Sequence, residues 1–182
     1  MRATLLHTAP TIGSTAAERL LALSIAASRH SLYITNSYFV PDDDFVRLLR
    51  EAAARGVDVR VLTPGTLNDV KSTWYAGRAQ YERLLEGGVR IFWYQPAMIH
   101  GKSFVVDGCW ASIGTMNFDN RSLAFNDESN LLVLDEGFGS RVREMFLDDL
   151  TRSKEVTLEQ FRRRPWKDRM LEWSASRVAR IL

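Results

Sequence analysis

The sequence has a single cysteine, Cys109, in 182 residues. One cysteine cannot form an intrachain disulfide, which excludes the disulfide-stabilised secreted folds and predicts a reducing, cytoplasmic compartment. No uninterrupted apolar run is long enough to cross a bilayer, and the first fifteen residues lack the pattern of a secretory signal. We therefore expect any membrane contact to be peripheral, at the inner membrane surface, or to be supplied by another chain.

The chain also has little net charge, with a formal value of +2 at pH 7. Residues 154–182 hold eight Lys and Arg against four acids, a balance of +4, which leaves −2 for residues 1–153. A near-neutral main body argues against a nucleic-acid partner. We expect two parts, a compact domain over 1–153 and a basic, aromatic helical tail over 154–182 that packs on the domain or faces a membrane.

Hydrophobic periodicity predicts alternating strands and helices as far as Gln95. The expected strands are residues 3–7, 31–36, 57–63 and 89–95, and the expected helices are 15–28 with Ser14 as N-cap, a helix between the cap Asp42 and Gly56, and 69–86. Such alternation implies parallel strands with helices on both faces of a sheet.

The pattern changes after Gln95. The short runs KSFVVDG, WASIG and ESNLLVLD indicate strands linked by hairpins, and residues 137–152 predict one further helix. Pro165 divides the tail into two short helices. The expected fold class is α/β, with a mixed, mainly parallel central sheet sandwiched between helices and a basic helical tail at the carboxyl end.

The segment HGKSFVVDGCWASIGTMN carries the chemistry. It fixes six positions in one register: His100, Lys102, Asp107, Gly114, Thr115 and Asn117. On average residue frequencies, such a register arises by chance on the order of 10⁻⁷ per starting position. The pattern is therefore specific enough to support a functional hypothesis.

Strand geometry gives this motif a chemical meaning. Alternate side chains of a strand share a face, so His100 and Lys102 should project into one pocket. A neutral imidazole can attack phosphorus and hold a phosphoryl group, while Lys102 neutralises phosphate oxygens and Asn117 donates a hydrogen bond to them. This chemistry needs no metal and no cofactor, and we expect neither.

These residues resemble the HKD signature of the phospholipase D superfamily. The longer stretches NSYFVPDD, ARGVDVRVLTPG, YERLLEGGVRIFWYQPAMIHGKSFVVDG and IGTMNFDNRSLAFNDESNLLV resemble the carboxyl-terminal half of bacterial cardiolipin synthases, and the likeness covers nearly the whole chain. It implies that His100 becomes the phosphorylated intermediate. It also implies that Lys102, Thr115 and Asn117 bind phosphate, with Thr115 standing where the superfamily more often has Ser.

The resemblance assigns two carboxylates as well. Glu128 takes the place of the acid that orients the catalytic histidine, although Asp127 beside it is an alternative. Asp107 completes the catalytic signature, and we expect it to hold the turn after the strand. Arg121 and Ser122 either touch phosphate or brace the loop, and the sequence leaves both roles open.

One departure from the family is serious, because its sites are built from two such motifs and this chain has one. The second half must come from a homodimer mate or from another chain, or else the chain is an inactive half-domain. With a second half, the expected activity is transfer of a phosphatidyl group from a phosphatidylglycerol-like phospholipid. The alternative is a metal-independent nuclease or general phosphodiesterase that acts as a homodimer.

Overall fold

The described residues of the computed structural model, 1–9, 16–119, 122–123 and 126–178, form one eight-stranded sheet with helices on both faces. The strands are β1 (Arg2–Thr8), β2 (Ser31–Asn36), β3 (Asp58–Pro64), β4 (Arg90–Tyr94), β5 (Lys102–Val106), β6 (Trp110–Gly114), β7 (Glu128–Leu134) and β8 (Ser153–Val156). The helices are α1 (Ala16–Ala27), α2 (Asp43–Ala54), α3 (Lys71–Arg78), α4 (Tyr81–Glu86), α5 (Glu136–Thr151), α6 (Leu158–Arg162) and α7 (Trp166–Val178). The spatial order of the strands in the sheet is β1-β7-β6-β5-β2-β3-β4-β8.

The sheet is mixed, as expected, but the prediction that it is mainly parallel is wrong. In the described part of the chain, β2–β3 and β3–β4 are parallel, and the five other neighbouring pairs are antiparallel. The parallel pairs come from the two crossovers, one through α2 and one through α3 and α4. Strands β5 and β6 are joined by a tight turn at 107–109, and a tight turn can connect only antiparallel strands.

The helix boundaries predicted from local sequence signals are mostly correct. Asp42 caps α2 by accepting a hydrogen bond from Phe45 N at 2.8 Å, and Gly56 follows the helix with a positive φ of 90°. The single helix expected over 69–86 is wrong, since the structure divides it into α3 and α4. A Cβ at Gly77 would lie 2.2 Å from the carbonyl oxygen of Phe39, so α3 lies unusually close to the chain after β2.

The hydrophobic core has two parts, one on each face of the sheet. Leu32 and Ile34 of β2 belong to the part covered by α1, α2, α4 and α6, whereas Tyr33 between them faces α5. This alternation follows from the period of two along a strand. The expected layering of helices around a central sheet is therefore confirmed.

The carboxyl-terminal region begins with a strand that the sequence did not predict. Strand β8 pairs antiparallel with β4 and crosses the boundary expected after residue 153. Helices α6 and α7 follow, separated near Pro165 as expected, and α7 packs against α3. Ser14, the N-cap expected for α1, lies outside the described residues. Within the described ranges, no helix has both the length and the apolar character to span a bilayer.

Candidate active site

The candidate site lies where β2 ends and β5 begins. These strands are antiparallel with Asn36 opposite Lys102, so the chain after β2 meets the chain before β5. Lys102 Nζ lies 3.0 Å from Ser37 Oγ, to which it donates, and 3.1 and 3.2 Å from Nδ1 and Nε2 of His100. The structure thus brings together the imidazole and the ammonium group that the motif pairs.

The two side chains differ in exposure, and this affects their chemistry. His100 is exposed, whereas Lys102 is half-buried, and burial lowers the pKa of Lys102 despite the opposing carboxylate charges of Glu128, Asp69 and Asp119. The imidazole is thus accessible from solvent, while the ammonium group beside it is partly shielded.

Tyr38 forms one wall of the site. Its ring meets the His100 ring edge-on with centroids 5.9 Å apart, and its hydroxyl donates to Asp69 Oδ2 at 2.7 Å. Burial, together with this hydrogen bond, raises the pKa of Tyr38 to about 12, so the phenol stays protonated. Phe39, the next residue, lies in the core against Phe118.

Asn36 is a site residue that sequence reasoning missed. Its Nδ2 donates to Met116 O at 3.3 Å and its Oδ1 accepts from Phe118 N at 3.1 Å, so one buried amide holds the chain on both sides of Asn117. Asn117 N donates to Ser122 Oγ at 2.7 Å. Within the described residues, the Asn117 side chain has no hydrogen bond, and its Oδ1 is buried.

Glu128 is buried at the start of β7, with 4% of its surface exposed. Its carboxylate accepts hydrogen bonds from the hydroxyls of Thr115 and Ser122 and from Asn126 Nδ2. Over the part of the chain that the structure describes, no hydrogen bond joins Glu128 to His100. Orientation of the histidine by Glu128 therefore stays a prediction. The hydrogen bonds show instead that Glu128 supports the loop after β6.

Gly114 allows this loop to approach β7. A Cβ at Gly114 would lie 2.2 Å from Asn130 Oδ1 and 2.3 Å from Ser129 O, distances that no side chain can adopt. The glycine of the motif is therefore a packing requirement. It lets Thr115 reach the carboxylate of Glu128.

Asp107 lies at the opposite end of β5 from Lys102. Its carboxylate accepts hydrogen bonds from the backbone N–H groups of Arg29, His30 and Ser31 at 3.0, 2.8 and 2.8 Å. Burial alone would raise the pKa of Asp107, but these three donors lower it below its ordinary value. The structure does not bring Asp107 to the other motif residues and places it in the turn, with a φ of 51°.

Two aromatic side chains of α3 pack around a cation of the same helix. Trp74 and Tyr75 surround the guanidinium of Arg78, whose Cζ lies 4.3 Å and 5.7 Å from the two ring centroids. They support α3 rather than the site. Arg121 lies outside the described residues.

A cleft of about 370 Å³ adjoins the site between the sheet and α5. His100 and Lys102 line it, together with the apolar side chains of Ile99, Ile113, Val142 and Met145. Lys102 is the one cation among the described residues that line it. Within the described ranges, no group of three or more His, Cys, Asp and Glu side chains is arranged to hold a metal ion.

Comparison with known families accounts for this combination of sheet and motif. The model of the family described as "Cardiolipin synthase, PLD-like domain" matches residues 21–150, which is more than half of the chain. The chain belongs to this phospholipase D-like family. The resemblance inferred from the motif is therefore confirmed.

Curated relatives extend the likeness but are much longer. The chain is 41% identical over 155 residues to the cardiolipin synthase of Geobacillus kaustophilus and 37% identical over 155 residues to cardiolipin synthase A of Proteus mirabilis. These matches cover 85% of this chain but 30% and 32% of the two relatives. The chain thus spans about a third of the length of the curated relatives it matches.

Two solved structures share the fold at low sequence identity. The phospholipase D family member Nuc from Salmonella typhimurium matches 86% of this chain and 99% of its own, with a TM-score of 0.73 and 19% identity. Phosphatidylserine synthase from Haemophilus influenzae matches 99% of this chain but 47% of its own, with a TM-score of 0.78 and 13% identity. The same fold therefore occurs in a chain of about this length and within a chain about twice as long.

Proposed function

We propose that the chain is one half of a phospholipase D-type phosphatidyltransferase in which His100 takes up a phosphatidyl group. The observation that carries this proposal is the contact of the Lys102 ammonium with both ring nitrogens of an exposed His100. An anionic phosphodiester can reach this pair from solvent. Once there, it meets a nucleophile and a positive charge together.

The reaction proceeds in two displacements. A nitrogen of His100 attacks phosphorus, a P–N bond forms, and the P–O bond to the first alcohol breaks as that oxygen takes a proton. The hydroxyl of an acceptor then attacks phosphorus and gives its proton to the group that protonated the first alcohol; a P–O bond forms as the P–N bond breaks, and His100 is released. Lys102 and the amide of Asn117 stabilise the charge on the non-bridging oxygens in both steps.

The proton for the first alcohol must come from a second acid, and the chain has one HKD motif. We infer that a second imidazole arrives from a homodimer mate or from another chain. The lengths of the relatives support this inference, because the curated relatives are about three times longer than the segment that matches this chain. A C2 pairing would place two copies of His100 in one pocket.

A phospholipid is the substrate class that the cleft favours. A groove that tracks a nucleic-acid backbone carries many cations, whereas the cleft beside His100 is walled by apolar side chains. The apolar surface continues across the sheet, since Ile113 pairs with Leu131 and Leu131 with Leu5, and all three are exposed. Acyl chains of a phosphatidylglycerol-like lipid fit this surface, and the enzyme would work peripherally at the cytoplasmic side of the membrane.

The test compares two histidines in the assembled protein, whose oligomeric mass is measured first. We expect His100→Ala to abolish transfer from fluorescent phosphatidylglycerol and to remove the covalent lipid adduct seen by mass spectrometry after rapid denaturation. The control is His30→Ala, which changes another exposed histidine and should retain both. Transfer by His100→Ala would refute the proposal, and cleavage of single-stranded DNA without lipid transfer would favour the phosphodiesterase alternative.

A further inference from the structure

Helix α7 turns both of its acidic side chains towards the domain. Glu172 is 2% exposed, and its carboxylate lies 2.9 Å from Arg78 Nε and 2.8 Å from Arg164 Nε. Asp168 Oδ2 lies 3.2 Å from Arg78 Nη2. These ion pairs determine which face of α7 packs against the domain, and they involve both acidic residues of the helix.

The outward face of α7 is apolar along its centre. Trp166, Met170 and Trp173 are spaced by four and three residues, so they lie in one stripe along the helix. Their exposed fractions are 65%, 59% and 63%. Two tryptophans and a methionine in one exposed stripe are unusual on a soluble surface and indicate an interaction site.

Cations border this stripe. Lys167, Arg169 and Arg177 are all exposed, and in the described part of the chain none of them forms an ion pair with a carboxylate. The guanidinium of Arg177 lies 5.2 Å from the Trp173 ring centroid, beside the stripe. The helix is thus sorted by charge, with its acids inward and its unpaired cations outward.

We propose that α7 docks the protein on an anionic lipid surface, with Trp166, Met170 and Trp173 in the interfacial layer and Lys167, Arg169 and Arg177 among the headgroups. Aromatic side chains favour the boundary between headgroups and acyl chains, and cations beside them are attracted to anionic lipid. A second copy of the chain fits this face poorly, because a C2 contact would set its cations against identical cations. The docking goes beyond the proposed transfer reaction and does not require it.

The experiment measures sedimentation of the full chain with phosphatidylcholine vesicles that contain or lack phosphatidylglycerol. We expect binding to the anionic vesicles to be stronger by about ten-fold or more and to weaken with salt. Trp166→Ser/Trp173→Ser should lower it by about ten-fold or more, and Lys167→Gln/Arg169→Gln by about ten-fold. Leu23→Ser/Leu67→Ser, which removes two exposed leucines elsewhere, is the matched control and should bind like the unchanged protein.

The substituted side chains are exposed, so the thermal unfolding midpoint should stay constant and any loss of binding reports the surface itself. Repeating the assay with His100→Ala separates the two proposals, since docking should persist when transfer is absent. Equal binding to both kinds of vesicle, or undiminished binding by the tryptophan variant, would overturn the inference. A fall in oligomeric mass of that variant, with vesicle binding unchanged, would identify the stripe as a protein interface instead.

Discussion

The two ends of β5 use ionisable side chains in opposite ways. At one end, Lys102 contacts His100 and Ser37 and remains half-open to solvent. At the other end, three backbone N–H groups of residues 29–31 surround the carboxylate of Asp107. Both side chains belong to one motif, yet only the first end has a hydrogen-bonding group that a substrate can use.

This difference separates chemistry from support within the motif. Within the described residues, the Asn117 amide and the His100 ring form few hydrogen bonds with the rest of the protein, as groups that bind a phosphate must. Glu128 and Asp107 are held by several donors each, which is what a structural acceptor requires. Substitutions at the open end should therefore reduce turnover, and substitutions of the saturated carboxylates should reduce stability.

The largest effect is expected at Lys102. Lys102→Met should lower turnover by about 10² to 10³-fold, because it removes a cation aimed at the charge of the transition state. Stability should stay the same or rise slightly, since burial already disfavours the ammonium form. Lys154→Met, at an exposed lysine on β8, is the control for loss of charge alone. Steady-state rates and thermal unfolding decide the matter, and equal rates for the two variants would remove Lys102 from the site.

The next largest effect is expected for Glu128→Gln, and it is a loss of folding stability. The amide places an NH₂ group against hydroxyl donors from Thr115 and Ser122, so the free energy of unfolding should fall by about 2 to 3 kcal/mol. Asp127→Asn, at the exposed neighbour, should change it by less than about 0.5 kcal/mol. Urea unfolding of both variants tests this difference. A larger loss at Asp127 would show that Glu128 is not the carboxylate that supports the loop.

Asp107→Asn should cost less, and only above acidic pH. The pKa of Asp107 is lowered in the folded chain, so its charged form adds stability that is complete above the ordinary pKa of an aspartate and is lost as pH falls through the lowered value. Asparagine tolerates the positive φ but lacks the charge, so the loss near pH 7 should be about 1 kcal/mol, allowing for partial exposure. The difference between the unfolding curves of the two proteins should shrink as the pH falls below the ordinary pKa of an aspartate, and it should vanish once Asp107 is protonated in the folded chain. A gap that persists there would exclude the charge as its cause.

The sequence predicted the chemical pair but not its surroundings. His100 and Lys102 are only two residues apart, so they lie close together even though β5 begins at Lys102 and His100 precedes the strand. Asn36 and Ser37 precede them by more than sixty residues and reach the site only through the pairing of β2 with β5. No local periodicity specifies that register, and the segment NSYFVPDD was noticed only as part of a family likeness.

The errors in the fold have the same origin. The mainly parallel sheet was inferred from the crossovers before Gln95, but the described strands after Gln95 all pair antiparallel, and these five pairs outnumber the two parallel ones. The break between α3 and α4 has no proline or strong terminator, and packing decides it, since α3 meets α7 while α4 meets α2 and α6. Strand β8 is only four residues long and lies in a polar stretch, so its partner β4 determines it.

The smallest effect is expected at Thr115. It tests whether support of the loop after β6 needs the methyl group of this residue as well as its hydroxyl. The Thr115 hydroxyl donates to Glu128 and accepts from Ser129 N at 3.0 Å, while the residue is otherwise exposed. Thr115→Ser retains both bonds and should change stability by less than about 0.5 kcal/mol. Thr115→Val should cost about 1 kcal/mol, because Glu128 then loses a donor. Thr4→Val, on an exposed position of β1, controls for the added methyl group, and a serine variant as unstable as the valine variant would show that the methyl group, not the hydroxyl, supports the loop.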